Sequence, residues 1–383
     1  MKQVLFLNHN QENFGTYYRC FFLAKGLSEN GFNVKMLCAS GKKFDILIRR
    51  KKINDNFTII TLPRIKYHRY FTGQIWLRLP LILLFVLFSR YDICHAFTVS
   101  QPQIGIPAMV AKIFRKKRLI VDWDDLWGGG FADEHTSIVA KILGWSERYF
   151  IKYADEVTYV SELIGEEINK LKLNCNKTKI PNGANVEKIS VLDKEESRRK
   201  VKLNEKAKLL ISIGNTYTDS IGIMLEAFKV ALREIPTLKL MLVGEGRIPE
   251  KFNGLKIELQ ASLLITGKKP FSDIPYYLAS ADCLILPMDD NNIEKARFPM
   301  RLGDYFCAGR PIVSNAVGEV KYYLEKYNAG LVSDSQDSQA LARNIIKAIN
   351  VSDIANEISR NARNLAETDL QWDNITDKLI KIY

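Results

Sequence analysis

The feature that most limits the fold of this chain is an alternation of short apolar runs with amphipathic segments, repeated in two series. The first series predicts strands at residues 4–7, 34–38, 58–62, 93–97, 119–121 and 156–160. The second predicts strands at residues 209–213, 239–243, 263–266, 283–286 and 312–314. Residues 18–30, 224–233 and 301–308 repeat their apolar side chains with helical spacing. Strands that alternate with helices form βαβ units, so each series predicts a parallel, doubly wound α/β sheet.

The length of the chain and one polar stretch indicate two domains. With 383 residues the chain exceeds the usual size of one domain. Residues 183–207 are polar and charged and separate the two series. We therefore predict an N-terminal domain over residues 1–182 and a C-terminal domain over residues 183–369. Open parallel sheets bind ligands outside the carboxyl ends of their strands, so we predict the site in the cleft between the domains.

Charge is distributed unevenly between the two halves. The formal net charge is +12, and residues 1–180 carry +11 of it, with 27 Lys and Arg against 16 Asp and Glu. A basic surface attracts nucleic acid or an anionic membrane, although a lysine-rich genome also produces such a bias. The sequence contains no recognised nucleic-acid-binding motif and no interleaving of basic with aromatic residues. We therefore expect no nucleic-acid partner.

An apolar run at residues 79–88 has two possible interpretations. As a helix it spans about 15 Å, which is half of a bilayer core, so it cannot cross a membrane. It is either a buried helix of the fold or a helix that lies at a membrane surface. Basic residues nearby favour the second interpretation; they are Arg64, Lys66, His68, Arg69, Arg78 and the run at residues 115–118.

Residues 119–130, LIVDWDDLWGGG, place carboxylates, indole rings and glycines at the end of a predicted strand. Carboxylates this close repel one another unless a positive group or a donor such as a hydroxyl lies among them. The stretch therefore predicts a ligand contact. The alternative is that Asp122 and Asp125 are caps and that Trp123 and Trp127 belong to the core.

A more specific pattern lies at residues 296–320, ARFPMRLGDYFCAGRPIVSNAVGEV. Pro299 suits the first turn of a helix, where free N–H groups can bind an anion. Those N–H groups would be the ones of Met300, Arg301 and Leu302. Together with the guanidinium groups of Arg297 and Arg301 they predict a diphosphate cradle. Asp304, one turn later, can accept hydrogen bonds from ribose or sugar hydroxyls; a solvated arginine pair is the alternative.

Residues 13–19, NFGTYYR, give a weaker signal at the end of the first predicted strand. Gly15 allows close approach of a ligand to the backbone, and the helix that starts near Thr16 favours an anion. A plain turn is equally consistent. Neither GxGxxG nor GxxxxGK[ST] occurs, so a dinucleotide site and a P-loop are not supported.

Asp304 and the following YFCAGRPIV resemble the donor-site signature of the family-four retaining glycosyltransferases. The resemblance extends over nearly the whole chain. IPNGANVE resembles the junction between that family's domains, and LLISIGN, LMLVGEG and LLITGKKPFSDIPYYLASADCLILP resemble its second-domain strands in order. LQWDNITDKLIKIY, about residues 370–383, resembles its closing helix. The implied fold is GT-B: two facing, doubly wound Rossmann-like domains, an interdomain cleft and a C-terminal helix that crosses back to the first domain.

The sequence departs from the family pattern at several positions. The first Glu of the donor signature falls at Ala296, and Glu294 lies two residues early. The donor-phosphate Arg and Lys of the family align with Asn215 and Asp219. The histidine that family members often place near the transferred sugar aligns with Asp124.

The resemblance implies a role for each candidate residue. Asp124 accepts hydrogen bonds from sugar hydroxyls or assists the acceptor hydroxyl, with Asp125 beside it, and Arg301 supplies positive charge for catalysis. The implied donor-binding residues are Gly15, Thr16, Gly214, Asn215, Arg297, Met300, Arg301, Leu302 and Asp304. The implied sugar or acceptor contacts are Trp123 and Trp127.

The expected activity is retaining transfer of a sugar from a UDP- or GDP-sugar to a saccharide or lipid-linked acceptor of an envelope glycan. We expect no cofactor and no metal, because arginine can neutralise the leaving diphosphate; the DxD metal interpretation of DWD, residues 122–124, belongs to a single-domain fold. The alternative is a non-catalytic GT-B subunit that binds sugar nucleotide or a partner enzyme. Six scattered cysteines without metal spacing and no signal peptide indicate a cytoplasmic protein, on the inner face of the membrane if it is peripheral.

Overall fold

The computed structural model describes residues 1–65, 74–130, 137–203, 206–214, 219–246 and 248–383. Its contacts divide the chain into two compact units. Unit 1 contains Met1–Asn182 together with Trp372–Tyr383, and unit 2 contains Gly183–Gln371.

The described residues of unit 1 form a sheet of eight strands in the order β3-β4-β2-β1-β5-β6-β7-β8. All neighbours in this sheet are parallel except β3 and β4, which form an antiparallel pair. The strands are β1 (Gln3–Gln11), β2 (Asn33–Ala39), β3 (Arg49–Asn54), β4 (Phe57–Leu62), β5 (Ile93–Phe97), β6 (Arg118–Trp123), β7 (Glu156–Tyr159) and β8 (Asn176–Lys179).

The helices of unit 1 connect these parallel strands as crossovers. They include α1 (Tyr17–Glu29), α2 (Ile75–Phe88), α3 (Pro102–Ile113), α4 (Ser137–Phe150) and α5 (Glu162–Lys170). Helix α2 is apolar on all sides, yet it buries only part of its surface: Ile82 and Val86 are buried, whereas Leu84 and Phe88 are exposed. The apolar run at residues 79–88 is therefore not a fully buried helix. Across the described residues, no helix combines the length and apolarity that crossing a membrane requires.

The described residues of unit 2 form a parallel sheet of six strands in the order β11-β10-β9-β12-β13-β14. The strands are β9 (Lys208–Ile213), β10 (Leu238–Val243), β11 (Leu263–Ile265), β12 (Cys283–Leu286), β13 (Ile312–Ser314) and β14 (Leu331–Val332). The helices include α6 (Lys194–Lys200), α7 (Ser220–Glu234), α8 (Asn253–Glu258), α9 (Ile274–Ala279), α10 (Asn292–Ala296), α11 (Met300–Ala308), α12 (Gly318–Lys326), α13 (Ser338–Asn350) and α14 (Ser352–Glu367). The core of this unit is apolar and includes Phe228, Leu240 and Ile345.

The last described helix, α15 (Trp372–Ile380), belongs to unit 1 and packs against α1. The ring of Trp372 stacks on Phe22 with 4.9 Å between centroids. The backbones of the two helices approach closely at Gly26, where an added Cβ would lie 2.2 Å from the Thr376 hydroxyl oxygen. The segment predicted as a closing helix therefore completes the core of unit 1.

Candidate functional site

Three loops of unit 1 meet at the carboxyl ends of β1, β5 and β6, where Asp124 accepts two hydroxyl hydrogen bonds. Thr16 Oγ1 donates to one carboxylate oxygen at 2.6 Å, and Thr98 Oγ1 donates to the other at 3.0 Å. Thr16 precedes α1 but makes no side-chain capping bond, because its hydroxyl is used for Asp124. Gly15 has φ +57°, and an added Cβ would lie 2.7 Å from Asn10 Nδ2, so the loop requires glycine.

Asp124 is a buried carboxyl group that titrates near neutrality. Burial, and to a lesser extent the negative charges of Asp125 and Asp122, raises the pKa of Asp124 to about 7. The hydrogen bond from Thr16 acts in the opposite direction and lowers this pKa. Only 8% of the residue is exposed. A carboxyl group with this pKa can accept a hydrogen bond or a proton from a ligand hydroxyl near pH 7.

Asp122 has a structural partner rather than a ligand. Arg19 Nε and Nη2 each donate to one of its oxygens at 2.8 Å, and both side chains are buried. The same guanidinium donates to the carbonyls of Ile180 and Pro181 and to Asn182 Oδ1. The pair therefore joins α1 and β6 to the segment that follows β8. With both oxygens bound by Arg19, Asp122 is poorly placed to be a metal ligand.

The two tryptophans of the stretch have different environments. Trp123 is 4% exposed, and its Nε1 donates to the Asp125 carbonyl at 3.0 Å. The expectation that Trp123 offers an apolar face to a sugar is therefore wrong, because its ring is enclosed by the core. Trp127 is partly exposed and lies edge-on to His9, with 6.2 Å between ring centroids, so it remains a candidate sugar contact.

Buried polar side chains follow β5 close to Thr98. Ser100, Gln101 and Gln103 are 1%, 0% and 0% exposed. Neither the Ser100 hydroxyl nor the two side-chain amides have a hydrogen-bond partner among the described residues. A buried, unpaired polar group costs about 1–3 kcal/mol, so each of these groups needs a partner, and an ordered water is the usual one at a buried site.

In unit 2, Arg301 lies against the carboxyl end of β9. Its Nη1 donates to the Ile213 carbonyl at 3.4 Å, and the same atom would be 3.7 Å from a Cβ added at Gly214. Burial lowers the pKa of Arg301, with Glu294 opposing and Arg297 adding to the effect. The side chain is partly exposed to solvent, so a bound ligand can reach the guanidinium.

Glu294 provides a carboxylate that the family alignment did not place there. It is 2% exposed, and its Oε1 pairs with Arg297 Nη2 at 2.5 Å. Its Oε2 has no partner among the described residues, and burial raises its pKa. The segment is fixed by Gly318, where an added Cβ would lie 2.3 Å from the Lys295 carbonyl oxygen.

The start of α11 differs from the prediction in one respect. Pro299 is the N-cap, and the Leu302 N–H donates to its carbonyl at 2.9 Å. The expectation of a free Leu302 amide is wrong, because that N–H already closes the first helical turn; the amides of Met300 and Arg301 remain as candidates. Asp304 is partly exposed, yet enough protein surrounds its carboxyl group that burial raises the pKa to about 7.

Several predicted positions have no test in this geometry. Asn215 lies outside the described residues. Asp219, which stands where the family has its donor-phosphate Lys, is an exposed acid that pairs with Lys251. It cannot replace the positive charge of that Lys. Within the described ranges, no three His, Cys, Asp or Glu side chains lie close enough together to hold a metal ion.

Sequence reasoning missed the residues that the topology brings in from other loops. Thr98 and Arg19 contact the acidic stretch from 26 and 103 positions away. Glu294 could have been found from the sequence, because it lies two residues from the expected Glu position. Gln101 and Gln103 could not, because the sequence shows nothing about them beyond their polarity. A buried partner of this kind becomes visible only when strand order is known.

Two α/β units, each built on a mainly parallel sheet, have the architecture of the GT-B class of folds. The family model for Glycosyltransferase Family 4 matches residues 18–188. The model for Glycosyl transferases group 1 matches residues 193–365. The chain belongs to the family-four glycosyltransferases.

Known proteins share this fold at low sequence identity. Sucrose-phosphate synthase from Thermosynechococcus elongatus has a TM-score of 0.77 at 17% identity and covers 100% of this chain and 98% of its own. HepE from Anabaena, solved with UDP and glucose, has a TM-score of 0.74 at 15% identity, with coverages of 100% and 99%. TuaH of Bacillus subtilis (strain 168), whose name assigns it to teichuronic acid biosynthesis, is 24% identical over 55% of this chain and 53% of TuaH. The chain thus spans about half the length of the curated relatives it matches.

Proposed function

We propose that this protein is a retaining, metal-independent glycosyltransferase. It moves a sugar from a UDP- or GDP-sugar to a saccharide or lipid-linked acceptor in the synthesis of a surface polysaccharide. The observation that carries this proposal is the partly exposed guanidinium of Arg301 beside Gly214 and the first turn of α11. A charged donor group beside free helix amides is the arrangement that a diphosphate requires.

Unit 2 stabilises the leaving group in this proposal. As the bond between the sugar C1 and the diphosphate oxygen breaks, negative charge develops on the diphosphate. Arg301 and the amides of Met300 and Arg301 stabilise that charge in a site of low polarity, where such interactions are strongest. The charge of Arg297 is partly offset by Glu294, with which it pairs, so Arg301 supplies most of the positive charge. Since arginine neutralises the charge, no metal ion is needed.

Glu294 replaces the Glu that is missing at position 296. Its Oε2 accepts a hydrogen bond from a donor-sugar hydroxyl, while Arg297 holds Oε1. Asp304, with a pKa raised to about 7, accepts from a hydroxyl of the ribose or the sugar. Glu294 selects a hydroxyl-bearing donor, because its buried Oε2 would stay unpaired beside an apolar one.

Unit 1 supplies the contacts to the sugar and the acceptor. Asp124, held by Thr16 and Thr98, accepts a hydrogen bond from an acceptor or sugar hydroxyl. The acceptor oxygen bonds to C1 on the face that the diphosphate leaves, so the sugar retains its anomeric configuration. The acceptor proton passes to the departing diphosphate.

The setting is the synthesis of a surface polysaccharide at the inner face of the cytoplasmic membrane. The assignment of TuaH to teichuronic acid biosynthesis and the binding of UDP by HepE support the acceptor and donor classes. The exposed Phe88 at the end of α2 and Phe114 after α3 support a peripheral membrane contact, together with the basic residues at 115–118.

A thermal-shift screen of UDP-, GDP- and ADP-sugars tests the donor class, because specific binding raises the melting temperature by mass action. The ligand that binds is then supplied with EDTA, and donor hydrolysis is followed by proton NMR, which also reports the anomeric configuration of released or transferred sugar. We expect a shift with a UDP- or GDP-sugar, cleavage in EDTA, and retention. Absence of any shift contradicts the proposal, and activity that needs added Mn²⁺ or Mg²⁺ contradicts metal independence.

The missing Arg and Lys positions of the family support one competing function. In a non-catalytic GT-B subunit the donor binds but is neither hydrolysed nor transferred. Asp219, paired with Lys251, motivates this alternative. Binding without cleavage in the same experiment favours it.

A further inference from the structure

A cavity lies beside the Gly128–Gly129 turn, four residues after Asp124, and helix α4 forms its wall. The backbone of the Gly128–Gly129 turn packs directly against the backbone of α4. A Cβ added at Gly128 would lie 3.0 Å from the Gly144 Cα and 2.5 Å from Arg148 Nη1. Any larger residue would push the turn away from the helix, so the cavity is held next to the loop that carries Asp124.

An aromatic platform lines this cavity. The Trp145 ring stacks on Tyr149 with 4.8 Å between centroids and 16° between planes, and 56% of Trp145 is exposed. The Tyr149 hydroxyl is 3.0 Å from that of Tyr153. An exposed tryptophan leaves a large apolar area in water unless a partner covers it. The flat faces of paired rings suit the C–H faces of a pyranose.

Three cations surround the platform. Lys141, Arg148 and Lys152 line the cavity; the first two lie on α4 with Trp145, and Lys152 lies in the turn Ile151–Tyr153 that follows it. Of the described residues that line the cavity, none carries a carboxylate. The nearest acid on the helix, Glu147, is buried and accepts the N–H groups of Trp127 and Gly128. The cavity therefore presents positive charge around an apolar surface.

We propose that this cavity binds an anionic residue of a saccharide chain, at a distance along the chain from the hydroxyl that receives the transferred sugar. This inference rests on the proposed function, since it names the chemical class of its acceptor. Trp145 and Tyr149 contact the sugar face, and the three cations pair with a carboxylate or phosphate on the same chain. The site favours a saccharide over a membrane because tyrosine hydroxyls and cations surround the rings, whereas a membrane contact presents a protruding apolar side chain such as Phe88.

The test measures binding of three defined probes to the full chain: trigalacturonate, a glycerol-phosphate oligomer and neutral maltotriose. Binding is followed by tryptophan fluorescence and checked by calorimetry. We expect one of the two anionic probes to bind at least tenfold more tightly than maltotriose, and the identity of that probe distinguishes a carboxylate from a phosphate. Trp145→Ala weakens that binding at least tenfold. The double variant Lys141→Ala/Lys152→Ala weakens it several-fold and flattens its salt dependence.

Trp76→Ala is the matched control, because Trp76 is an exposed tryptophan on α2 of the same unit. It should leave saccharide binding unchanged. Sugar-nucleotide binding, measured in parallel by thermal shift, should be unchanged in every variant. Saccharide binding that is insensitive to Trp145 and to the lysines overturns the inference even where donor binding proves the proposed function correct. Loss of binding to phosphatidylglycerol vesicles in Trp145→Ala, with saccharide binding intact, also overturns it and identifies a membrane surface instead.

Discussion

Arg301 is a cation whose protein contacts are weak for its degree of enclosure. It donates to the Ile213 carbonyl at 3.4 Å, near the long limit of a hydrogen bond. Burial lowers the pKa of this guanidinium, which means that the charged form is held at an energetic cost. A bound diphosphate offsets that cost, so the residue contributes more to ligand binding than to folding.

Replacement of Arg301 by alanine should therefore weaken binding of the donor nucleotide by about 1.5–3 kcal/mol, as expected for a charge-assisted hydrogen bond. Calorimetry with UDP or GDP measures the change. Arg343→Ala is the control, because Arg343 is an exposed arginine on α13 of the same unit. An unchanged affinity in a folded Arg301→Ala protein removes this residue from the site.

Asp124 destabilises the folded protein as the pH rises, whereas a carboxylate in a surface ion pair stabilises it as the pH rises. Its pKa of about 7 in the folded protein lies above the unfolded value of about 3.9. Between about pH 4 and pH 7 the folded state binds more protons, so the contribution of Asp124 to stability falls as pH rises. Asp124→Asn should stabilise the protein by roughly 2–3 kcal/mol more at pH 8 than at pH 5.

Urea unfolding at the two pH values measures this difference. Asp55→Asn is the matched control, because Asp55 is exposed, pairs with Lys52, and has a lowered pKa. The control should show no gain at high pH. The Asp124→Asn protein should also lose sugar transfer, since an amide cannot accept the hydrogen bonds of both threonines and a ligand. Equal effects at pH 5 and pH 8 contradict a buried, protonated Asp124.

At the scale of helices and strands, the contact of α1 with α15 depends on a missing side chain. A Cβ at Gly26 would lie 2.2 Å from Thr376 Oγ1 and 2.8 Å from its Cβ. Overpacking of this kind costs about 1–3 kcal/mol, which exceeds the gain of up to about 1 kcal/mol from replacing a helical glycine. Gly26→Ala should lower the melting temperature of unit 1, and adding Thr376→Ala should recover part of the loss.

The control for this prediction is Gly254→Ala in α8, where an added Cβ meets no atom within 4 Å. It should be neutral or slightly stabilising. Calorimetric melting curves of the three variants separate the two effects. A harmless Gly26→Ala would show that α15 does not pack as closely as these distances require.

Sequence patterns predict the buried elements well and the edge elements poorly. The strands predicted at residues 93–97 and 283–286 are β5 and β12 to the residue, because continuous apolar runs have few alternatives. The unpredicted strands include β3 and β8, the edge strands of the unit 1 sheet, with the sequences RRKKIN and NKTK. Their residues are mostly polar and none is fully buried, so their composition does not distinguish them from loops.

In the candidate site, residues of one local motif could be predicted from the sequence, whereas contacts between distant loops could not. Arg301 and Asp304 belong to one local motif, which was readable without a structure. The Thr16–Asp124 hydrogen bond joins residues 108 positions apart, and only the order of β1, β5 and β6 in the sheet brings them together. Trp123 was misassigned because an aromatic residue beside carboxylates has the same pattern in a core as in a sugar site.

At the scale of the whole molecule, the basic charge of residues 1–180 and the exposed apolar ends of α2 and α3 support the proposed contact with an anionic membrane. Phe88 is 79% exposed and Phe114 is 72% exposed. Arg115 Nη2 donates to the Ser89 carbonyl at 3.2 Å, which holds the two helix ends together. Basic residues near such a surface contribute roughly 1 kcal/mol each, and salt screens them.

The protein should therefore sediment with phosphatidylglycerol vesicles at low salt, bind phosphatidylcholine vesicles poorly, and be released at high salt. Phe88→Ser/Phe114→Ser should reduce this binding and leave sugar-nucleotide affinity unchanged. Ile257→Ser, an exposed apolar residue of unit 2, is the control. Neutralising residues 115–118 together should have a similar effect on vesicle binding. Equal binding to the two vesicle types would assign the basic charge to another partner.

Because α15 belongs to unit 1 but follows unit 2 in the chain, the two units cannot complete their folding in the order in which they are synthesised. A chain emerges N-terminus first at about 5–20 residues per second, so synthesis of residues 183–371 occupies about 10–40 s. Unit 2 is contiguous and can complete its core in that time, while unit 1 still lacks the helix that covers Phe22 and Gly26. Unit 1, which is synthesised before unit 2, is thus the later of the two to finish folding, and its exposed α1 surface is where a chaperone would bind the nascent chain.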